Sequence, residues 1–309
     1  MSISSLLRSA AVTLACALPV TATAEGVTPL LAQFQQIGFV DDTGAAIRIE
    51  AGDVLRTVSQ EVPAAVCHLH NNVSSELSTK LLREGLDNFD LMVDALLNGN
   101  PEFGIVGGEE RAKTRRLLEE LQAAWGPLRA AGENVLADPS NDSAVEVMYA
   151  NASEMLEKSY YLLSELEGQY ANPVELLYSD AMLLEVSGRQ SMLSQRLSFL
   201  SCLVWSGAAD DTYIELLNTA SEQFKFAMGA LRNGAPELGI QPPPTEEIAA
   251  KLDYMASDFE VISGHLVTVM ETGALDTASA ESLYAILADK MYTMNEVAHL
   301  YAMYSKRVY

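Results

Sequence analysis

Apolar residues recur every three and four positions along most of the chain, the spacing of helices that bury one face. The clearest run begins at Leu183. With that residue as heptad position a, the a and d positions are Leu183, Val186, Gln190, Leu193, Leu197, Leu200 and Val204. A second stripe on the same helix, Ser191, Gln195, Ser198 and Cys202, is small or polar, and Arg189 and Arg196 share a further face. Such a helix can pack in its own bundle through one face and meet a partner through another.

Leu55, Val58, Val62, Ala65 and Leu69 form a like seam over 53–71, with Pro63 inside it as an expected kink. Further helices are predicted at 74–98 and 109–131, and from Pro139-Ser140-Asn141-Asp142 to about Tyr170. A second set is predicted at 174–206, 210–233, 245–271 and 277–306. Asn98-Gly99 reads as a left-handed helix stop, Pro242-Pro243-Pro244 as a stop before 245–271, and Asn172-Pro173 as the break between the sets. Ahead of the first set, Ile47, Ile49 and Ala51 read as a weak helix following a loop at 41–44.

The two sets resemble each other. At an offset of 135 residues Ser59-Gln60 falls on Ser194-Gln195, Cys67 on Cys202, Leu81-Leu82 on Leu216-Leu217, and Phe89 on Phe224. The stretch Ala95 to Ile105, which contains Asn98-Gly99 and Pro101-Glu102, falls on Ala230 to Ile240 with Asn233-Gly234 and Pro236-Glu237. The expectation is an all-α chain of two tandem antiparallel four-helix-bundle modules, 25–171 and 172–309, related by an internal repeat.

The first 24 residues read as a signal peptide. Arg8 supplies a positive start, Ala10 to Val20 a short apolar core, and Ala22-Thr23-Ala24 a cleavage site before Glu25. Cys16 is a poor lipoprotein site, because Thr13 is a poor fit at position −3. No later segment is apolar enough to span a bilayer. The mature chain is therefore expected to be periplasmic.

Composition is globular, 49% hydrophobic and 20% charged. The net charge is −23, or −24 once the leader with its single basic residue is removed. Such a surface repels nucleic acid and anionic lipid, so neither is an expected partner. Two cysteines, Cys67 and Cys202, remain after cleavage. If their helices pair side by side and in parallel, the two come to the same level and can form a disulfide; otherwise each packs as a buried thiol in its own bundle. Cys67-His68-Leu69-His70 lacks metal-ligand spacing, since residues two apart on a helix point to different sides. No nucleophile motif or phosphate loop appears, so neither an enzyme nor a cofactor is expected. The 12 methionines read as core filling.

Gly188-Arg-Gln-Ser-Met-Leu-Ser-Gln-Arg-Leu197 resembles the signature helix of the type IV pili methyl-accepting chemotaxis transducer N-terminal domain, the PilJ-type sensor module. Phe224, Ala230 to Gly234, and Gly239-Ile240 fit the same pattern. The module is also similar to the periplasmic domain of nitrate and nitrite sensor kinases. In those proteins two such helices meet at a dimer axis and an Arg before the Met holds the anion. Here that position is Ser191, and the repeat register places Arg56 at the matching position of the first, degenerate copy. The first copy keeps the arginine and lacks the motif; the second keeps the motif and lacks the arginine.

The resemblance implies a ligand site drawn from Arg56, Arg189, Ser191, Gln195 and Arg196, asymmetric, with Arg56 supplied by the other copy. Guanidinium suits a planar oxyanion because its donors come in pairs. The plainer reading is that the arginines pair with nearby acids such as Glu185. Two functions remain open. One is an exported sensor that binds a small anion such as nitrate or nitrite and relays to a membrane-bound chemotaxis transducer or sensor kinase. The other is an adaptor that docks on such a partner without a small ligand. The chain ends at Tyr309 with no signalling domain, so relay is expected to need that partner.

Overall fold

The computed structural model describes residues 44–170 and 178–307. The expected leader, Cys16, the cleavage point at Ala24 and the Asn172-Pro173 break lie outside them. All regular structure among the described residues is helical. In chain order it comprises α1 (Ala45–His70), α2 (Ser75–Asn98), α3 (Ala112–Ala137), α4 (Asp142–Tyr170), α5 (Tyr178–Trp205), α6 (Asp211–Asn233), α7 (Glu246–Ser257), α8 (Phe259–Thr272) and α9 (Thr277–Arg307), with single 3-10 turns at Pro101–Phe103 and Pro236–Leu238. Among the described residues no helix is long and apolar enough to cross a membrane.

α1 packs on α2, α4 and α5; α3 packs on α4 and α2. α5 packs on α6 and α9, and the α7–α8 pair closes that second bundle. Each bundle has its own apolar core. α9 lends Tyr284, Ala288 and Met291 to the first core, and α4 lends Leu156 to the second. Ala64, Cys67, Ala152, Phe199, Cys202 and Leu203 form a third cluster where the bundles meet.

Three helices differ from their predicted spans. The weak N-terminal segment and the first seam are one continuous helix, α1, and it runs through Pro63. Proline lacks the N–H that would bond the Ser59 carbonyl. The Gln60 side-chain amide donates to that carbonyl instead, at 2.8 Å.

α3 starts at Ala112, three residues after the predicted Glu109. Glu109 belongs to a buried lock. Its carboxylate accepts from Arg48 at 2.7 Å and from the Tyr170 hydroxyl at 2.8 Å, and its N–H donates to Leu96 O. Arg48 also donates to the Val106 and Gly107 carbonyls, at 3.1 and 2.6 Å. α3 then continues past Gly132, which is a packing glycine and no stop: a Cβ there would lie 3.0 Å from Leu86 of α2.

The predicted helix 245–271 is two helices, broken at Asp258. Lys290 of α9, its side chain fully buried, reaches into the break. Its ammonium donates to the Tyr254 carbonyl at 3.2 Å, pairs with Asp258 at 2.7 Å and lies over the Tyr254 ring. A cation inserted into the hydrogen-bond ladder is a sufficient cause for a break.

The loops after α2 and α6 have the same form. Asn100 pairs with Ile105 and Ala235 with Ile240 in isolated antiparallel bridges, each around a 3-10 turn. Gly104 and Gly239 close these turns at φ of 81° and 78°, a region open to glycine at little cost.

Candidate functional site

The seam between α1 and α5 is the candidate site. The two helices run parallel and in register. Near the N-terminal end, Gly188 abuts the Asp53 carboxylate. One heptad on, Arg196 donates to the Gln60 side-chain oxygen at 3.2 Å. A further heptad on, Cys67 and Cys202 are joined by a disulfide with Cα atoms 6.2 Å apart. Asp53, Gln60 and Cys67 thus meet Gly188, Arg196 and Cys202 in successive heptads.

Small residues make this approach possible. Ser187, Ser191, Ser194, Ser198 and Ser201 are all buried. The hydroxyls of Ser187, Ser194 and Ser201 donate back to their own helix, to Leu183 O at 2.7 Å, Ser191 O at 2.7 Å and Ser198 O at 3.0 Å. Back-bonding of this kind satisfies a buried hydroxyl without a partner across the seam.

Arg56 is fully buried. Its guanidinium donates to Asp53 in its own helix and to Glu185 of α5 at 3.2 Å, and it lies over the Tyr160 ring of α4 at 5.2 Å. Glu185 also accepts two bonds from Arg189, at 3.2 and 2.5 Å. Arg189 sits at the solvent edge, while Arg196 is half-buried farther along the seam.

The acids outnumber what one arginine can hold. Burial, with Glu185, Glu167 and Glu50 nearby, pushes the Asp53 carboxyl up to about 7 despite Arg56. Burial also raises Glu185, but Arg56 and Arg189 outweigh it and hold that carboxyl below its ordinary value. Burial disfavours the Arg56 charge; Asp53 and Glu185 more than offset it.

Several polar atoms at this level are buried with no hydrogen-bond partner among the described residues. They are Arg56 Nε, both amide atoms of Gln190, Ser191 Oγ and Gln195 Oε1. The Gln195 amide nitrogen donates across to Leu287 O of α9 at 3.4 Å.

Below the disulfide, His68 donates to or accepts from Ser198 Oγ at 3.1 Å and stacks on Tyr284 at 3.8 Å between centroids. Burial pushes its imidazole down to about 3, so it is neutral. His70 turns away to the Pro139 carbonyl at 2.8 Å. No group of three or more His, Cys, Asp or Glu side chains among the described residues could hold a metal ion.

Of the residues singled out from the sequence, Arg56, Ser191, Gln195 and Arg196 lie in or along the seam, and Arg189 reaches it through Glu185. Asp53, Tyr160, Gln190 and Gln60 were missed. Asp53 had a local signal, an acid three residues before Arg56 on one helix face. Tyr160 had none, because it arrives from α4.

No curated protein and no solved structure matches the chain. One PilJ domain is found: residues 177–283, which take in the signature helix α5 and end two turns into α9, match the family model described as type IV pili methyl-accepting chemotaxis transducer N-term.

Proposed function

We propose that the protein is an exported, non-catalytic sensor built from two tandem PilJ-type modules, 25–171 and 172–309, that arose by duplication. The repeated loops at Asn100–Ile105 and Ala235–Ile240 support the duplication, as does the pairing of residues 135 apart in the disulfide. The disulfide also supports a periplasmic location, since such bonds persist in oxidising compartments.

The ligand is a small planar oxyanion of the nitrate or nitrite kind, taken between α1 and α5 at the level of Arg56 and Ser191. Its occupancy is relayed to a membrane-bound chemotaxis transducer or sensor kinase. The observation that carries this reading is the set of buried, unpartnered polar atoms on Arg56, Gln190, Ser191 and Gln195. An unpaired buried polar group costs about 1–3 kcal/mol, and an oxyanion accepting from Arg56 and Ser191 would relieve that cost. Asp53 competes for the same guanidinium, so the anion enters as that carboxyl takes up a proton.

Titration calorimetry and thermal unfolding with nitrate, nitrite and other small anions test this. Stabilisation is expected, stronger at pH 6 than at pH 8, and lost in Arg56→Lys. No response to any anion at millimolar concentration removes the oxyanion.

A second reading is an adaptor without a small ligand. Asp53 and Glu185 already accept from both terminal nitrogens of Arg56, so carboxylates of the chain itself stand where an external anion would. Under this reading the protein recovers a PilJ-bearing membrane transducer or kinase from solubilised envelope equally well with and without anion.

A further inference from the structure

A cavity of about 10 Å³ lies between α1, α2 and α9. That is room for one water-sized particle. Its polar lining is Thr57 and Glu61 of α1, Glu84 and Asn88 of α2, and Tyr292 and Asn295 of α9. Every one of these side chains offers an oxygen, and two are carboxylates.

Glu61 is only 4% exposed, and among the described residues no hydrogen-bond donor or cation bears on its carboxyl. Gly85 brings α2 close to this stretch of α1: a Cβ there would meet Val62 at 2.6 Å. Glu84 accepts from the Tyr292 hydroxyl at 3.0 Å. Lys80 pairs with Glu84 at 4.0 Å and is half exposed. Burial and the Glu84 charge push the Glu61 carboxyl up to about 8, which records how little positive charge the protein brings to it. A buried carboxylate without a partner is costly, and a cation is one remedy. Asn295 adds a buried amide nitrogen with no partner, on a side chain whose nitrogen and oxygen can exchange places by rotation.

We propose that Glu61 and Glu84 hold a single hard divalent cation in this cavity, with the Tyr292 and Thr57 hydroxyls and the neighbouring amides as neutral oxygen donors. Carboxylate, hydroxyl and amide oxygens without nitrogen or sulfur are the donor set of calcium and magnesium. The donors come from both bundles, so the ion would tie α9 to α1 and α2 independently of the α1–α5 seam.

The test uses the full mature chain, stripped with chelator, titrated with calcium or magnesium at constant ionic strength. A saturable rise in unfolding temperature is expected, with one ion per chain by calorimetry. Glu61→Gln should weaken that binding about tenfold or more. Glu84→Gln, at a partly exposed position, gives the same comparison should Glu61→Gln fail to fold. Terbium bound in place of calcium should show emission sensitised by Tyr292, displaced by calcium and lost in Tyr292→Phe. A temperature shift no larger than that given by sodium chloride at equal ionic strength would overturn the proposal. So would binding that keeps its strength in both glutamate variants.

Discussion

Gly188 of α5 lies against Asp53 of α1 so closely that a Cβ on the glycine would sit 2.5 Å from the carboxylate. That carboxylate is pinned by Arg56, which is itself fully buried. The glycine of the signature helix is thus the space in which the other helix places its counter-ion. Gly188→Ala should destabilise the protein by about 1–3 kcal/mol, because the pinned acid has nowhere to go. Gly126 in α3 is the control: its Cβ would meet nothing, and alanine there should stabilise by about 0.5–1 kcal/mol. Urea unfolding of the two variants checks both signs.

Arg56 should be among the costliest polar side chains to remove. Arg56→Met leaves the buried Asp53 without its cation and Glu185 with Arg189 alone, a loss of about 3–5 kcal/mol. Adding Asp53→Leu should return part of that loss, since the unpaired carboxyl goes with it. A double-mutant cycle by chemical denaturation reads the coupling; additive losses would show that the pair is not a unit.

Stability should depend on pH in an unusual direction. Asp53 rises from 3.8 unfolded to about 7 folded, and Glu61 from 4.5 to about 8. The folded state therefore holds protons that the unfolded chain has released, and stability falls as pH rises through this window. His68 acts oppositely: its folded value of about 3 lies below 6.5, so its contribution is lost as pH falls from 6.5. Above pH 6.5 the histidine adds no opposing slope. In cation-free buffer the unfolding temperature should drop between pH 6.5 and 8, by an amount on the order of 2 kcal/mol in stability. Glu61→Gln should flatten most of that slope.

The disulfide closes a loop of 135 residues. Loop-closure entropy sets its contribution at up to about 5 kcal/mol, through the unfolded chain. Cys67→Ala with Cys202→Ala should lower the unfolding temperature markedly while leaving helical circular dichroism intact, because each bundle keeps its own core. Separate unfolding transitions for the two bundles in that variant would locate the bond as their main coupling.

Periodicity by itself determined the helices, their buried faces and the all-α class, because a period of 3.6 residues is a local property of the chain. It also put Cys67 and Cys202 at the same place in seams of the same register; that the two helices lie side by side and parallel, so that the pair bonds, was decided by the tertiary structure. Helix ends proved less legible. Glu109 reads as the start of a helix, but Arg48, 61 residues earlier, holds it outside α3. The break at Asp258 depends on Lys290, which only tertiary packing delivers. The same holds at the centre of the seam. That Arg56 and Ser191 occupy matching positions could be read by laying the chain on itself at an offset of 135 residues. That the arginine would be met by Asp53 and by Glu185, 129 residues away, was decided by α1 and α5 lying parallel at small-residue distance. Charge pairing acts across space, and the sequence orders residues only along the chain.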